Sequence, residues 1–112
     1  MRLPSLLKEV WSNLFKKPVT VKYPFKRLPV SPIYRGKHEI LRDRCTGCGL
    51  CAKICPAFAI TMETIGDKVF PIIDLGKCIF CYQCEDVCPR GAIRRGKDFE
   101  LASWSRGDLI LR

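Results

Sequence analysis

The chain has 112 residues, eight of them cysteine, and carries 20 Lys/Arg against 11 Asp/Glu for a formal net charge of +9. One small domain is expected, too small to fold on apolar burial alone without metals or partners. No apolar run reaches the length of a membrane-spanning helix, and no Ser/His/Asp set, paired-carboxylate signature or Gly-rich phosphate loop marks an enzyme active site.

Residues 2–17 have the clearest helical pattern. Leu3, Leu6, Leu7, Val10, Trp11, Leu14 and Phe15 recur at three- and four-residue steps and line one face, with Ser5, Lys8, Glu9, Ser12, Asn13 and Lys16 on the other. Pro4 suits a first turn, and Pro18 is expected to end the helix. Such a stripe packs either on the chain's own core or on something outside it. A small core has little surface for seven large apolar residues, so a partner subunit or a membrane interface is the expected contact.

Residues 18–37 hold four prolines among Lys and Arg. Val19–Tyr23 is predicted as a short extended piece, and the rest as a basic strap with few internal hydrogen bonds. The interleaved Val21, Tyr23, Phe25, Leu28, Ile33 and Tyr34 argue against a disordered linker. Residues 1–44 carry 11 Lys/Arg against 3 Asp/Glu, whereas residues 45–93 carry 4 against 5. A basic arm on a slightly acidic body calls for an acidic protein face, lipid headgroups or nucleic acid.

From His38 the sequence repeats at an offset of 33 residues: Ile40 matches Ile73, Ala59 matches Ala92, and Ile60 matches Ile93. A duplicated half-module is predicted, each half giving a short strand, a loop, a short helix around its last cysteine and a returning strand. Ile60–Glu63 and Val69–Ile73 read as a hairpin about Gly66-Asp67, with Pro71 confining the second strand to an edge or irregular position. Ala92–Arg94 and Phe99–Leu101 read as a second hairpin. The lone histidine, His38, has no acidic or cysteine neighbour at ligand spacing, so a solvent-facing or partner-contacting side chain is expected. In the tail, Trp104, Leu109, Ile110 and Leu111 suggest a second contact with a neighbour, or a return over the body.

All eight cysteines lie in two runs, Cys45, Cys48, Cys51, Cys55-Pro56 and Cys78, Cys81, Cys84, Cys88-Pro89. Each is C-x-x-C-x-x-C-x-x-x-C-P. Three other uses of these sulfurs compete. A disulfide framework, with on the order of a hundred pairings for eight cysteines, needs an oxidising compartment, and no secretory signal is seen. Structural zinc favours two well-separated C-x-x-C pairs per ion. Buried structural thiols rarely fall at such regular spacing. The runs resemble the bacterial-type iron–sulfur pattern, in which three cysteines of a curled loop reach three corners of a 4Fe-4S cube and the fourth ligates the other cluster. That resemblance implies two 4Fe-4S clusters in a reducing, cytosolic setting. Cys45, Cys48, Cys51 and Cys88 would hold cluster I, and Cys78, Cys81, Cys84 and Cys55 cluster II. Thr46, Gly47 and Gly49 give cluster I a small, backbone-exposing loop, while Ile79, Phe80, Tyr82 and Gln83 give cluster II a bulkier, drier one. The expected result is a higher potential at cluster I.

The stretch from Leu14-Phe15-Lys16-Lys17-Pro18 through Tyr23-Pro24, the Tyr34-Arg35-Gly36 turn, and the tail Phe99-Glu100-Leu101-Ala102 with Arg106 and Asp108 add a narrower likeness. With the cysteine runs, they resemble the two-cluster ferredoxin-type subunit of respiratory complex I and of related membrane-bound NiFe hydrogenases and sulfur-reducing complexes. The resemblance implies a non-catalytic electron-relay subunit, peripheral on the cytoplasmic face of the membrane. Its expected partners are a small iron–sulfur subunit and a large catalytic subunit, with no nucleic acid. The fold class expected is α+β, a duplicated ferredoxin-like body at residues 38–101. A helix and docking strap at 1–37 precede it, and a docking tail at 102–112 follows. The competing readings are a soluble ferredoxin-type carrier and an iron–sulfur module that binds nucleic acid through the basic arm.

Overall fold

A computed structural model describes residues 5–112. The predicted start of the first helix, with Leu3 and Pro4, lies outside them. Helix α1 spans Ser5–Leu14 and ends about one turn short of the expected end at residue 17. Pro18 disfavours helical backbone at the residue before it and supplies no N–H. The chain therefore leaves the helix early, closing it with a Lys16 N–H bond to the Asn13 carbonyl at 3.2 Å. Among the described residues the apolar stripe stands open: Leu6, Val10, Trp11, Leu14 and Phe15 are all exposed, Trp11 by 67 %.

No strand forms at Val19–Tyr23; the strap is coil with turns. Before its last residues, Gly36 and Lys37, join the body, it is tacked there near its middle. The Tyr23 ring lies 6.1 Å from that of Phe99, its hydroxyl donates to the Glu100 carboxylate, and Arg27 pairs with the same carboxylate at 3.0 Å.

The body is α+β. Strand β1 (His38–Ile40) pairs antiparallel with β4 (Ile93–Arg95), His38 opposite Arg95 and Ile40 opposite Ile93. Strand β2 (Ile60–Ile65) and β3 (Lys68–Asp74) form the predicted hairpin, longer than expected at both ends of the turn. Pro71 sits opposite Met62 in β3, and β5 (Ile110–Leu111) adds to β3 only at Ile73 and Asp74. The outer side of Pro71 is thus free of any strand, as a residue without an N–H requires.

The predicted second hairpin does not form. After β4 the chain runs back along residues 36–37: Gly96 N–H bonds the Lys37 carbonyl, Gly36 N–H the Gly96 carbonyl, and Lys37 N–H the Asp98 carbonyl. Two glycines make this approach possible. A Cβ on Gly36 would stand 2.6 Å from the Asp98 carbonyl oxygen and 2.7 Å from that of Gly96. The long-range partner wins because it satisfies the backbone of both segments, which a local turn at Gly96 would leave half paired.

Helices α2 (Leu50–Ile54) and α3 (Gln83–Asp86) pack on each other. Each carries the third cysteine of its run, Cys51 or Cys84, whereas the helix was expected around the fourth. Cys55-Pro56 follows α2 directly, and proline forbids further helix. The core is small: Ile60, Ile73, Leu75 and Ile93 with Cys51 and Cys84. The tail returns to this core. Leu101, Leu109 and Leu111 pack against it, and Leu75 N–H bonds the Leu109 carbonyl at 2.9 Å. Of the apolar tail residues expected to meet a neighbour, Trp104 stands fully exposed.

Candidate metal centres

The two cysteine runs fold into curled loops with the same left-handed kinks. Positive φ occurs at Gly47 (70°) and Gly49 (73°) in the first loop and at Phe80 (54°) and Tyr82 (62°) in the second. Phe58 (50°) and Gly91 (57°) form a third such pair, again 33 residues apart. Glycine adopts this conformation freely, while a bulky side chain pays about 1–2 kcal/mol for it. The second loop therefore holds its shape against strain that the first avoids.

These kinks turn the sulfurs toward two cavities. Cys45, Cys48, Cys51 and Cys88 line cavity I, with Met62 and Pro71 in its wall. Cys55, Cys78, Cys81 and Cys84 line cavity II, with His38 and Tyr82 in its wall. The fourth cysteine of each run thus faces the cavity of the other. Cys55 and Cys88 are placed alike: the Ala59 N–H lies 3.3 Å from the Cys55 Sγ, and the Ala92 N–H 3.2 Å from the Cys88 Sγ.

The electrostatics group the sulfurs the same way. Burial pushes the Cys84 thiol up to about 12, and nearby Cys78 and Cys81 push in the same direction. Cys78 is raised by burial and by Cys55 and Cys81, and Cys51 by burial and by Cys45 and Cys48. At Cys88 burial also raises, but backbone N–H groups at Ala92, Arg90, Ile93 and Gly91 outweigh it and leave the thiol below its ordinary value. Thiols crowded in this way do not ionise together unless a metal supplies the positive charge. Among the described residues, no three His, Cys, Asp or Glu side chains converge on a point that one ion could occupy. Four sulfurs spread around a cavity suit the separated iron corners of a cube better than a single tetrahedral zinc. The donor set and its arrangement fit a 4Fe-4S group in each cavity.

His38 departs from expectation. It is 2 % exposed rather than solvent-facing, because β1 brings it against the second loop. Its ring stacks on Tyr82 at 4.4 Å and lies 5.6 Å from Phe80. Burial holds its pKa below the usual range, with Glu85 pulling partly back. Tyr82, 1 % exposed, donates its hydroxyl to the Gly36 carbonyl, and the Arg95 guanidinium lies 5.5 Å from its ring centre. Arg95 in turn binds Glu85 at 2.7 Å. A signal for His38 existed in the repeat, which sets it at the position of Pro71, a wall residue of cavity I.

Comparison with known proteins agrees with this geometry. Residues 44–94, which include all eight cysteines, match the 4Fe-4S dicluster domain, so the cofactors are two 4Fe-4S clusters. NADH-quinone oxidoreductase subunit I 2 of Geobacter metallireducens is 37 % identical over 120 residues, spanning 98 % of this chain and 92 % of that protein. The chain belongs to the NADH-quinone oxidoreductase subunit I family. Subunit 9 of the Thermus thermophilus NADH-quinone oxidoreductase, another member, is 39 % identical over 114 residues, covering 87 % of this chain and 63 % of its own length. The chain spans about half of a further subunit I relative, from Gloeobacter violaceus, which is 32 % identical. Among solved structures, a chain of the membrane-bound sulfane sulfur reductase, an archaeal respiratory membrane complex, superposes with a TM-score of 0.69 at 41 % identity. That match covers 97 % of this chain and 62 % of the other. As a subunit I family member, the chain has no described helix long and apolar enough to cross a membrane.

Proposed function

We propose that this chain is the two-cluster electron-relay subunit of a membrane-associated oxidoreductase complex of the complex I type. Cluster I is assigned to Cys45, Cys48, Cys51 and Cys88, and cluster II to Cys78, Cys81, Cys84 and Cys55. The observation that carries this reading is the pair of four-cysteine cavities, each completed by a sulfur from the other run. When bound, each 4Fe-4S cluster supplies a one-electron couple. The protein does the positioning. Packing of α2 on α3 brings Cys51 of one cavity and Cys84 of the other into one buried core with Ile60, Ile73, Leu75 and Ile93. Ile60 and Ile73 close cavity II and Ile93 closes cavity I against water. No bond to a substrate is made or broken on this chain; that chemistry belongs to the assembly.

The body is read as a duplicated ferredoxin-like unit at residues 38–101. Residues 1–37 and 102–112 dock it on neighbours, on the cytoplasmic face of the membrane. The exposed apolar stripe of α1 supports docking and argues against a freely diffusing carrier, which gains nothing from leaving Trp11 and its neighbours in water. The expected partners are a small iron–sulfur subunit and a large catalytic subunit.

Affinity purification of the tagged chain from native membranes, with identification of the co-purifying subunits, tests this. Recovery of an iron–sulfur small subunit and a large catalytic subunit is expected. Recovery of the chain alone, fully iron-loaded and monomeric, would refute it.

A further inference from the structure

The two cavities are framed by residues at a constant offset, with one consequential exchange. Pro71 in the wall of cavity I and His38 in the wall of cavity II stand 33 residues apart. They hold the same place in their strand pairs: Pro71 lies opposite Met62, and His38 opposite Arg95, residues that are again 33 apart. Proline has no side-chain donor or acceptor. Histidine has two ring nitrogens, and the Nδ1 of His38 is buried with no hydrogen-bond partner among the described residues. The ring is held by its stack on Tyr82 and has little room to turn. The other polar groups of the wall do not meet it: the Tyr82 hydroxyl is committed to Gly36, and Gln83 makes no bond to it. A buried ring nitrogen left unpaired is costly, and the remaining side-chain polar atoms lining this cavity are sulfurs, which accept hydrogen bonds.

We propose that His38 donates a hydrogen bond from Nδ1–H to a sulfur of the cluster held in cavity II, and that this donor, which Pro71 cannot supply at cavity I, raises the potential of cluster II against the order expected from the loops alone. The proposal rests on the two-cluster reading above. A donor aimed at cluster sulfur favours the more negative, reduced form and so raises the potential. The second loop is therefore less dry than its apolar residues alone suggest. His38 meets the cluster itself, and Tyr82 is the positioning residue that holds its ring in place.

The full chain offers an unambiguous spectroscopic test because His38 is its only histidine. The chain is labelled with 15N-histidine, reconstituted anaerobically with iron and sulfide, and reduced. Iron analysis comes first: a count well short of about eight per chain overturns the two-cluster reading and this proposal with it. With iron complete, pulsed EPR is expected to show 15N coupling to one of two reduced clusters. No coupling to either cluster overturns the proposal and leaves the two-cluster reading intact.

His38→Phe, which keeps a ring against Tyr82 but no N–H, should shift the reduction equilibrium of cluster II about tenfold toward the oxidised form, about 59 mV for one electron. Cluster I should not move, and His38→Asn, which restores an N–H near the Nδ1 position, should recover most of the shift. Unchanged potentials, or equal shifts at both clusters, overturn the proposal. If His38→Phe does not fold, the labelled parent chain decides.

Discussion

The rings of His38 and Tyr82 stack face to face, 4.4 Å apart and 13° from parallel. The contact joins β1 to a loop more than forty residues away in sequence. Tyr82 takes left-handed backbone at φ 62° where the other loop has Gly49, and the stack, with the hydroxyl bond to Gly36, holds it there. Tyr82→Ala is expected to lower stability by about 3–5 kcal/mol and to cost cluster II first. Tyr82→Phe, which loses only the hydroxyl bond, should cost about 1 kcal/mol. Anaerobic guanidinium titration, followed by cluster absorbance, ranks the two.

The placing of Cys55 and Cys88 predicts a crossed outcome for single-ligand variants. Cys88→Ser should remove the signal of the cluster held by the first loop, and Cys55→Ser that of the second. Each should bring iron from about eight toward about four atoms per chain. If Cys55→Ser instead silenced the cluster of its own run, the ligand assignment would be wrong. Iron analysis with EPR on each variant makes the distinction.

Iron removal should cost far more than activity. Cys51 and Cys84 are two of six residues in the buried core, and the aliphatic remainder is small. Without metal, the buried thiols at Cys51 and Cys84 and the half-buried one at Cys78 have no counter-charge to draw them together. Chelation under anaerobic conditions is expected to abolish most of the β-sheet signal in circular dichroism. An unchanged spectrum would show that the apolar core suffices alone.

Gly36 should tolerate no side chain. In Gly36→Ala, the new Cβ meets two backbone carbonyl oxygens inside 2.8 Å, so the strands must separate. A loss of at least about 1–3 kcal/mol is expected, the usual cost of overpacking. Gly66→Ala makes a control: φ is +66° but nothing lies within 4 Å, so only the backbone penalty of about 1–2 kcal/mol applies. Denaturation midpoints of the two variants should differ accordingly.

The stripe on α1 can be removed without touching the body. Changing Val10, Trp11 and Leu14 together to serine should leave iron content unaltered and alter stability by no more than about 0.5 kcal/mol, as is usual for exposed positions. Recovery of partner subunits in a pull-down from membranes should fall sharply. Full recovery would assign docking to the strap or tail instead.

The cysteine runs were readable because ligand spacing is a local property, and the β2–β3 hairpin because Gly66-Asp67 and the flanking alternation are local too. Two misses were local, the early end of α1 and the helix on the third cysteine rather than the fourth, each beside a proline; the others were long-range. Phe99–Leu101 has the pattern of a strand but runs on beyond a segment held against residues 36–37. The burial of His38 comes from the β1–β4 register and the aromatic second loop, neither of which its sequence neighbours reveal. The alignment of the chain with itself did contain the clue: Gly49 falls on Tyr82 and Pro71 on His38, a small residue and a rigid one exchanged for two stacking rings.

The exchange of fourth sulfurs across the body also bears on how such a chain could arise. A half-length ancestor, cut at the Gly66 turn, would carry four thiols but could gather only three of them around its own hollow. It would have to borrow the missing one from a twin and lend its own in return. Such a peptide would be viable only as a pair, and fusion of two copies would make that obligate partnership permanent. Only after fusion could the two sites diverge, with an imidazole entering one wall and a pyrrolidine ring the other.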